Sequence, residues 1–274
     1  MPQVLSTEVY GQIFKNLPLS KLYVVSTQCS QFYTAAVPYI FSHVTCHPLR
    51  SGTPYSDSSS IDRLSEHLSS HEPDGVLEFF HNSGHLCHHV HHLRFQGFRF
   101  EEDYHEWRPE ELRDMVQLFP GLTMVEFIDT GSLSFFRHLI PHFVQIQCVI
   151  IQSTSIDPRF FMESWKPVGK IHVLEDCWLE DMDKTGRQCN SSKTTFLTSL
   201  TFGYDPSDLA RCLSHPGSTI SLQEVQMLEV WHWDSNDIDQ MMFQLFRNLG
   251  YLHISFMEPH VGTYPLPASR ELIN

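Results

Sequence analysis

One spacing recurs along this chain and restricts its fold more than any other feature. An apolar residue is followed after two positions by a second, and after one more position by a third. The triplet occurs at Val90-Leu93-Phe95, Leu122-Val125-Phe127, Ile146-Val149-Ile151 and Val168-Ile171-Val173. It occurs again at Leu197-Leu200-Phe202, Leu222-Val225-Met227 and Leu249-Leu252-Ile254. Steps between first members are 32, 24, 22, 29, 25 and 27 residues. One such triplet arises readily by chance, but a series at near-even steps points to a repeated structural unit.

The segments between the triplets carry helical signals. "PEELRDMVQLF" puts Pro109 at a helix start and Leu112, Met115, Val116 and Phe119 on one face. "SLSFFRHLI", "DPRFFMESW", "DPSDLARCLSH" and "NDIDQMMFQLFRNL" predict further helices, several opened by Ser or Asp as caps. Asp181 to Lys193 is polar and reads as a loop. Asp129, Asp176, Asp205 and Asp234 read as caps or turn residues near strand ends. Strand, helix, strand at this period is a parallel β/α unit.

Such units build either an open, curved solenoid or a closed barrel. Barrel strands are covered on both faces and tend toward continuous apolar runs. Here Arg94, Gln96, Glu126, Lys170, His172, Ser199, Thr201, Glu224, Gln226, Tyr251 and His253 interleave with the apolar positions. That alternation fits a sheet with one face on helices and the other in water, and only seven of the barrel's eight units are visible. The expected fold is α/β, with an open solenoid of parallel β/α units over 85–274. Its candidate concave binding face comprises His92, Arg94, Gln96, Glu126, Lys170, His172, Thr201, Glu224, Gln226, Tyr251 and His253. The face is mixed in charge without a basic stripe, which favours a target protein over nucleic acid. Trp231-His232-Trp233 is an aromatic cluster able to anchor a partner or to lie buried under a loop.

The first 46 residues have a different texture. Ser6 or Thr7 can cap a helix with Val9, Ile13 and Leu17 at helical spacing and Tyr10 and Phe14 beside them. Pro18 should end it. Ser20 can cap a second helix carrying Leu22, Val25 and Cys29. Phe32, Ala35 and Ala36 follow, Pro38 should close the segment, and "YIFSHVTC" reads as a strand. Three short helices bury little alone, so some of their apolar surface must meet something else. "PLRSGTPYSDSSS" from Pro48 to Ser60 is a boundary-type stretch. "IDRLSEHLSSH" and "GVLEFFHNSG" read as two short helices leading in, so 47–84 is linker and lead-in.

Leu5, Glu8, Ile13, Phe14, Leu17, Leu22, Val25, Cys29, Phe32 and Ala36 together resemble the F-box motif. Ser6 stands where that family usually has proline, and Gln28 where it usually has an apolar residue. The triplets resemble the leucine-rich repeat, whose first, fourth and sixth positions enter a stacked core; the asparagine that usually follows is absent. The chain as a whole is similar to fungal F-box proteins with degenerate leucine-rich-repeat-like tails. That resemblance implies a three-helix module over 1–46 holding an Skp-family adaptor through Leu5, Glu8, Val9, Ile13, Phe14, Leu17, Leu22, Val25, Cys29 and Phe32. It further implies a cullin reached through the adaptor, a target protein on the concave sheet, and no catalysis by the chain itself.

Composition narrows the function classes. A formal net charge of −14 disfavours partners held by their phosphates. No run of about 18 apolar residues predicts a membrane span, and Glu8 and Lys15 interrupt any signal-peptide pattern. Seven scattered cysteines without a CxxC pair point to a reducing compartment, cytoplasmic or nuclear. "HLCHHVHH" packs five histidines and Cys87 into eight residues. Yet the HxH of His89 and His91 precedes its strand, whereas barrel hydrolases carry this motif at the strand's carboxyl end. His81, His85, His88 and His92 would share a face only of a helix that Asn82, Ser83 and Gly84 oppose. "HVTCH" reads as packing. Neither a metal nor any other cofactor is expected, and a barrel-type metal hydrolase is the remote alternative.

Overall fold

The structure is a computed structural model describing residues 6–47, 69–70, 73–98, 109–163, 165, 168–174, 177–180, 195–203, 209, 212–215, 217–233, 245–256 and 269–272. It is a mixed α/β fold whose sheet strands are mostly parallel, and it forms two compact units, Met1–Thr123 and Met124–Asn274.

The first unit opens with α1 (Thr7–Phe14), α2 (Leu19–Ser26) and α3 (Ser30–Ile40). Tyr10 and Phe14, one turn apart on α1, both meet Phe32 of α3, with ring centroids 4.7 and 5.7 Å away. Phe14, Leu22, Ala35, Ala36 and Ile40 form the buried core of this trio, the two alanines leaving room for close helix approach. Two expected boundaries move. Pro18, not Ser20, stands at the N-cap of α2, because its extended backbone frees its carbonyl to accept from the Lys21 and Leu22 amides. Pro38 does not close α3 but lies inside it. Only the bond its missing N–H would donate is lost; Phe41 still donates to Val37, and Ala36, Val37 and Ile40 stay buried.

Strand β1 (His43–Cys46) follows directly and pairs parallel with β2 (Ser69–Ser70) on one side and β3 (His92–Gln96) on the other. The end of the expected "IDRLSEHLSSH" helix is therefore strand at Ser69 and Ser70, and the rest of that segment lies outside the described residues. The second lead-in helix is α4 (Pro73–Asn82), followed by a 3₁₀ segment, Gly84–His89, so Gly84 begins a new turn. Helix α5 (Pro109–Leu118) buries Leu112, Met115 and Val116, and Phe119 just beyond it packs edge-on against Phe80 at 4.8 Å.

In the second unit, β4 (Met124–Ile128), β5 (Cys148–Gln152), β7 (Lys170–Val173), β10 (Ser199–Phe202), β12 (Met227–Trp233) and β13 (Tyr251–Phe256) lie side by side in chain order, all parallel. Strand β14 (Ser269–Leu272) joins β13 antiparallel. Two small pairs, β6 (Ser155–Ile156) with β8 (Trp178–Leu179) and β9 (Thr195–Phe196) with β11 (Ile220–Ser221), bridge successive connections.

Two backbone devices recur from strand to strand. At the leading end, one carbonyl accepts from two successive amides of the next strand. Gln147 accepts from Gly169 and Lys170, Gly169 from Thr198 and Ser199, Thr198 from Gln226 and Met227, and Gln226 from Gly250 and Tyr251. Ser42 does the same for His91 and His92 in the first unit. At the trailing end, the second residue past the last buried position has positive φ: Gly97 at 83°, Asp129 at 55° and Ser153 at 49°. Neither Asp nor Ser adopts that conformation freely, so the turn is imposed by its context. Asp129 donates its amide to the Gln152 carbonyl there, a turn role in keeping with its expected one; Asp176, Asp205 and Asp234 lie outside the described residues.

The triplets at Val90, Leu122, Ile146, Val168 and Leu197 are buried at all three positions. The sixth is displaced. Leu228 and Val230 are buried and aligned with Leu200 and Phe202, so the frame is Val225-Leu228-Val230, and Met227 is exposed. Leu249, Leu252 and Ile254 of the seventh are half-buried. Val44 and Cys46, buried and aligned with Leu93 and Phe95, make β1 a further member of the series.

Connections are tighter than expected. "SLSFFRHLI" forms a 3₁₀ segment, Phe135–His142, and "DPRFFMESW" another, Pro158–Met162. Pro141 within the first removes an amide donor. Asp157 caps the second, accepting from the Arg159 amide at 2.9 Å. Their aromatic side chains still cover the sheet: Phe127 meets Phe136 at 5.0 Å and Phe160 at 5.8 Å, and Phe160 meets Trp165 at 4.7 Å. Residues 236–244 of "NDIDQMMFQLFRNL" and the loop from Asp181 to Lys193 lie outside the described residues.

Candidate functional site

On the side of each strand opposite the buried triplets, register sets side chains in rows across the second unit. Glu126, Ile150, His172, Thr201, Glu229 and His253 occupy one row. Met124, Cys148, Lys170, Ser199, Met227 and Tyr251 occupy the next toward the leading end. In the first unit, Arg94 aligns with Thr45, and His92 with His43, their rings 4.7 Å apart. Of the expected binding residues, Glu126, His172, Thr201 and His253 thus come into one row, Lys170 and Tyr251 into its neighbour, and His92, Arg94 and Gln96 lie on β3. Glu224 and Gln226 do not join: they sit in the turn before β12, and Glu229 holds the row position. The displaced triplet caused that error, and the spacing Val225-Leu228-Val230 was the signal for the right frame.

The row is not uniformly wet. Thr201 and Glu126 are buried, and His172, Glu229 and His253 are half-buried. His172 Nδ1 lies 2.7 Å from the Thr201 hydroxyl, which donates to Glu229 Oε2 at 3.4 Å. A carboxylate only accepts, so both contacts are satisfied together when the hydroxyl proton goes to Glu229 and His172 donates its Nδ1–H to Thr201. The chain of donors runs one way, leaving His172 Nε2 as an acceptor in the neutral ring. Burial depresses the His172 pKa below the ordinary histidine value; Glu229 opposes that shift and Lys170 adds to it.

Trp231 follows Glu229 by two positions on β12, next to a register irregularity between Val230 and Trp233. Its side chain is 40% exposed, which places this member of the aromatic cluster in water rather than under a loop.

On the N-terminal trio, the expected adaptor-binding residues divide. Glu8, Val9, Ile13 and Cys29 are exposed; Leu17, Val25 and Phe32 are half-buried against the core; Leu5 lies outside the described residues. Phe14 and Leu22 are buried, and they hold the helices together rather than presenting a surface. Val9 and Ile13, at 42% and 48% exposure and one helical turn apart, form an apolar edge of α1 in water; Val24 and Tyr33 are exposed as well.

The histidine-rich stretch does structural work. His91 donates its Nδ1–H to the Gly121 carbonyl at 2.8 Å, and a Cβ on Gly121 would stand 2.7 Å from the His88 carbonyl oxygen. His89 is held below the usual histidine pKa by burial and by His88, His91 and His85. His81 lies on α4, His85 and His88 on the 3₁₀ segment and His92 on β3, so they share no helical face. Among the described residues, no three of His, Cys, Asp and Glu come together in a way that could hold a metal ion. Cys46 is packing: buried beside Met115 at 3.6 Å, with its thiol pKa pushed up by burial. No helix among the described residues is long and apolar enough to cross a membrane.

Compared with protein-family models and with curated proteins, the chain matches none.

Proposed function

We propose that this chain is a substrate-recognition subunit of an SCF-type cullin ubiquitin ligase, acting in the cytoplasm or nucleus without catalysis of its own. The observation that carries the reading is the N-terminal trio, which has its own small core yet leaves Val9, Ile13, Val24 and Tyr33 in water. Apolar side chains of this size, kept outside the core of Phe14, Leu22, Ala35, Ala36 and Ile40, are what an adaptor-binding surface requires. Val9 and Ile13 are among the residues the F-box resemblance assigns to the adaptor; Val24 and Tyr33 lie outside that set. The rest of the chain is read as a leucine-rich-repeat-like solenoid: parallel strands adjacent in chain order, joined by the same carbonyl device. Its outward rows would hold the target and bring target lysines close to a ubiquitin-loaded enzyme, a proximity effect. Co-purification of the full chain with an Skp-family adaptor tests the reading; failure of the wild type to bind overturns it.

A second reading is a non-catalytic repeat scaffold whose first helices only cap the sheet. It is favoured by the direct run of α3 into β1, in register with β3. Under that reading no adaptor binds, and the helices matter for stability alone.

A further inference from the structure

We propose that the outward face of the second unit, around Glu229, Trp231 and the His172–Thr201 pair, receives a lysine or arginine side chain from an extended basic segment of the target protein. The inference rests on reading this face as the target-binding face, and it names the chemistry of what binds there.

The first support is directional. Because Thr201 donates to Glu229 and His172 donates to Thr201, this stretch of the row presents acceptors: the remaining lone pairs of the Glu229 carboxylate and Nε2 of His172. Lysine and arginine are side chains that donate only, so they match such a surface, whereas an acidic or phosphorylated residue would meet acceptor against acceptor. The second support is Trp231. Its exposed indole follows Glu229 by two positions on the same strand, beside an irregularity of the type that re-aims side chains. An aromatic face and a carboxylate within one such interval suit a cation with a hydrophobic stem.

The third support is charge. The chain carries −14 overall, and the half-buried Glu229 is the carboxylate at this end of the row, Glu126 being buried four strands away. Lys170 is the opposing charge. It lies one row away, toward the leading end of the strands, so a basic segment is steered toward the Trp231 side.

The test uses the full chain and fluorescent octalysine, with octa(acetyl-lysine) as the uncharged probe. Expected are binding of octalysine, loss of binding on acetylation, and an affinity decrease of about fivefold for Trp231→Ala and for Glu229→Gln. Asp114→Asn, an exposed carboxylate on α5 removed at the same cost in charge, should change affinity less than about twofold. Equal losses for Glu229→Gln and Asp114→Asn would reduce the binding to a diffuse field effect and overturn the proposal; so would unchanged affinity for Trp231→Ala. Thermal melts confirm that the variants fold, and Glu229→Gln preserves side-chain shape. Adaptor capture by the N-terminal helices is measured on the same samples. Failure here with capture intact rejects only the cation site, and loss of capture with octalysine binding intact rejects only the ligase reading.

Discussion

The N-terminal helices and the parallel strands of the second unit solve the burial problem in opposite ways. In the strands, all three apolar positions of most triplets are removed from water, and the opposite face carries Glu126, His172, Thr201 and Glu229. Among the helices the core is five side chains, two of them alanine, while Val9 and Ile13 stay outside. A repeat sheet can extend its core by adding strands; three short helices cannot, so surplus apolar surface remains on them. The first region thus keeps apolar side chains in water, and the second keeps hydrogen-bonded polar groups on the face opposite its core.

The strongest way to break this contrast is to attack the buried series. Phe127→Ala removes a fully buried ring that touches both Phe136 and Phe160, and should cost about 3–5 kcal/mol in denaturant unfolding. A much smaller loss would mean that the strand core is loosely packed.

Truncation sharpens the border between the regions. A fragment starting at Ser42 keeps β1, whereas one starting at Pro48 strips the parallel partner from β3 and exposes Leu93 and Phe95. The shorter fragment should aggregate, as judged by light scattering, and the longer should stay monomeric and give a cooperative melt. Equal behaviour would mean that β1 adds nothing to the sheet.

Gly121→Ala forces a methyl group against the His88 backbone and should destabilise by about 1–3 kcal/mol, read from the same unfolding curves. A neutral outcome would show that the histidine-rich segment yields easily.

Acid should act on the polar face. The folded state holds His172 and His89 below their ordinary pKa, so the unfolded chain takes up protons first as pH falls. That stability is fully present above the unfolded histidine value of about 6.5 and is lost as pH drops through it toward the lower folded pKa. His172→Asn should flatten part of the slope in melts recorded between neutral and mildly acid pH. An unchanged slope would remove His172 from the cause.

Much of this organisation was legible in the sequence, because a buried strand must repeat its apolar positions whatever joins the strands. Five triplets sit where the spacing put them. The sixth slipped because Leu222, itself buried before the strand, makes Leu222-Val225-Met227 fit as well as the true frame, and the slip hid Glu229. Strand β1 was foreseen, but not as a member of the series, since Cys46 is a weak apolar marker. Helix and 3₁₀ turn are indistinguishable over runs as short as "SLSFFRHLI", where periods of 3.6 and 3.0 have little room to diverge. A turn was legible at Asp129, but its positive φ was not, and at Ser153 neither was, because neither residue is glycine. For α1, spacing placed Val9, Ile13 and Leu17 on one stripe, but which stripe faced inward depended on Phe32 and the alanines of α3, a tertiary fact.

The smallest structural change carries the most direct test of the ligase reading. Val9→Asp with Ile13→Asp alters two exposed side chains and should move unfolding free energy by no more than about 1 kcal/mol. Capture of an Skp-family adaptor by the full chain should be strong for the wild type and abolished by this pair, with the melting curve nearly unchanged. Equal capture by both, or none by the wild type, would contradict the assignment of the N-terminal helices as the adaptor-binding surface.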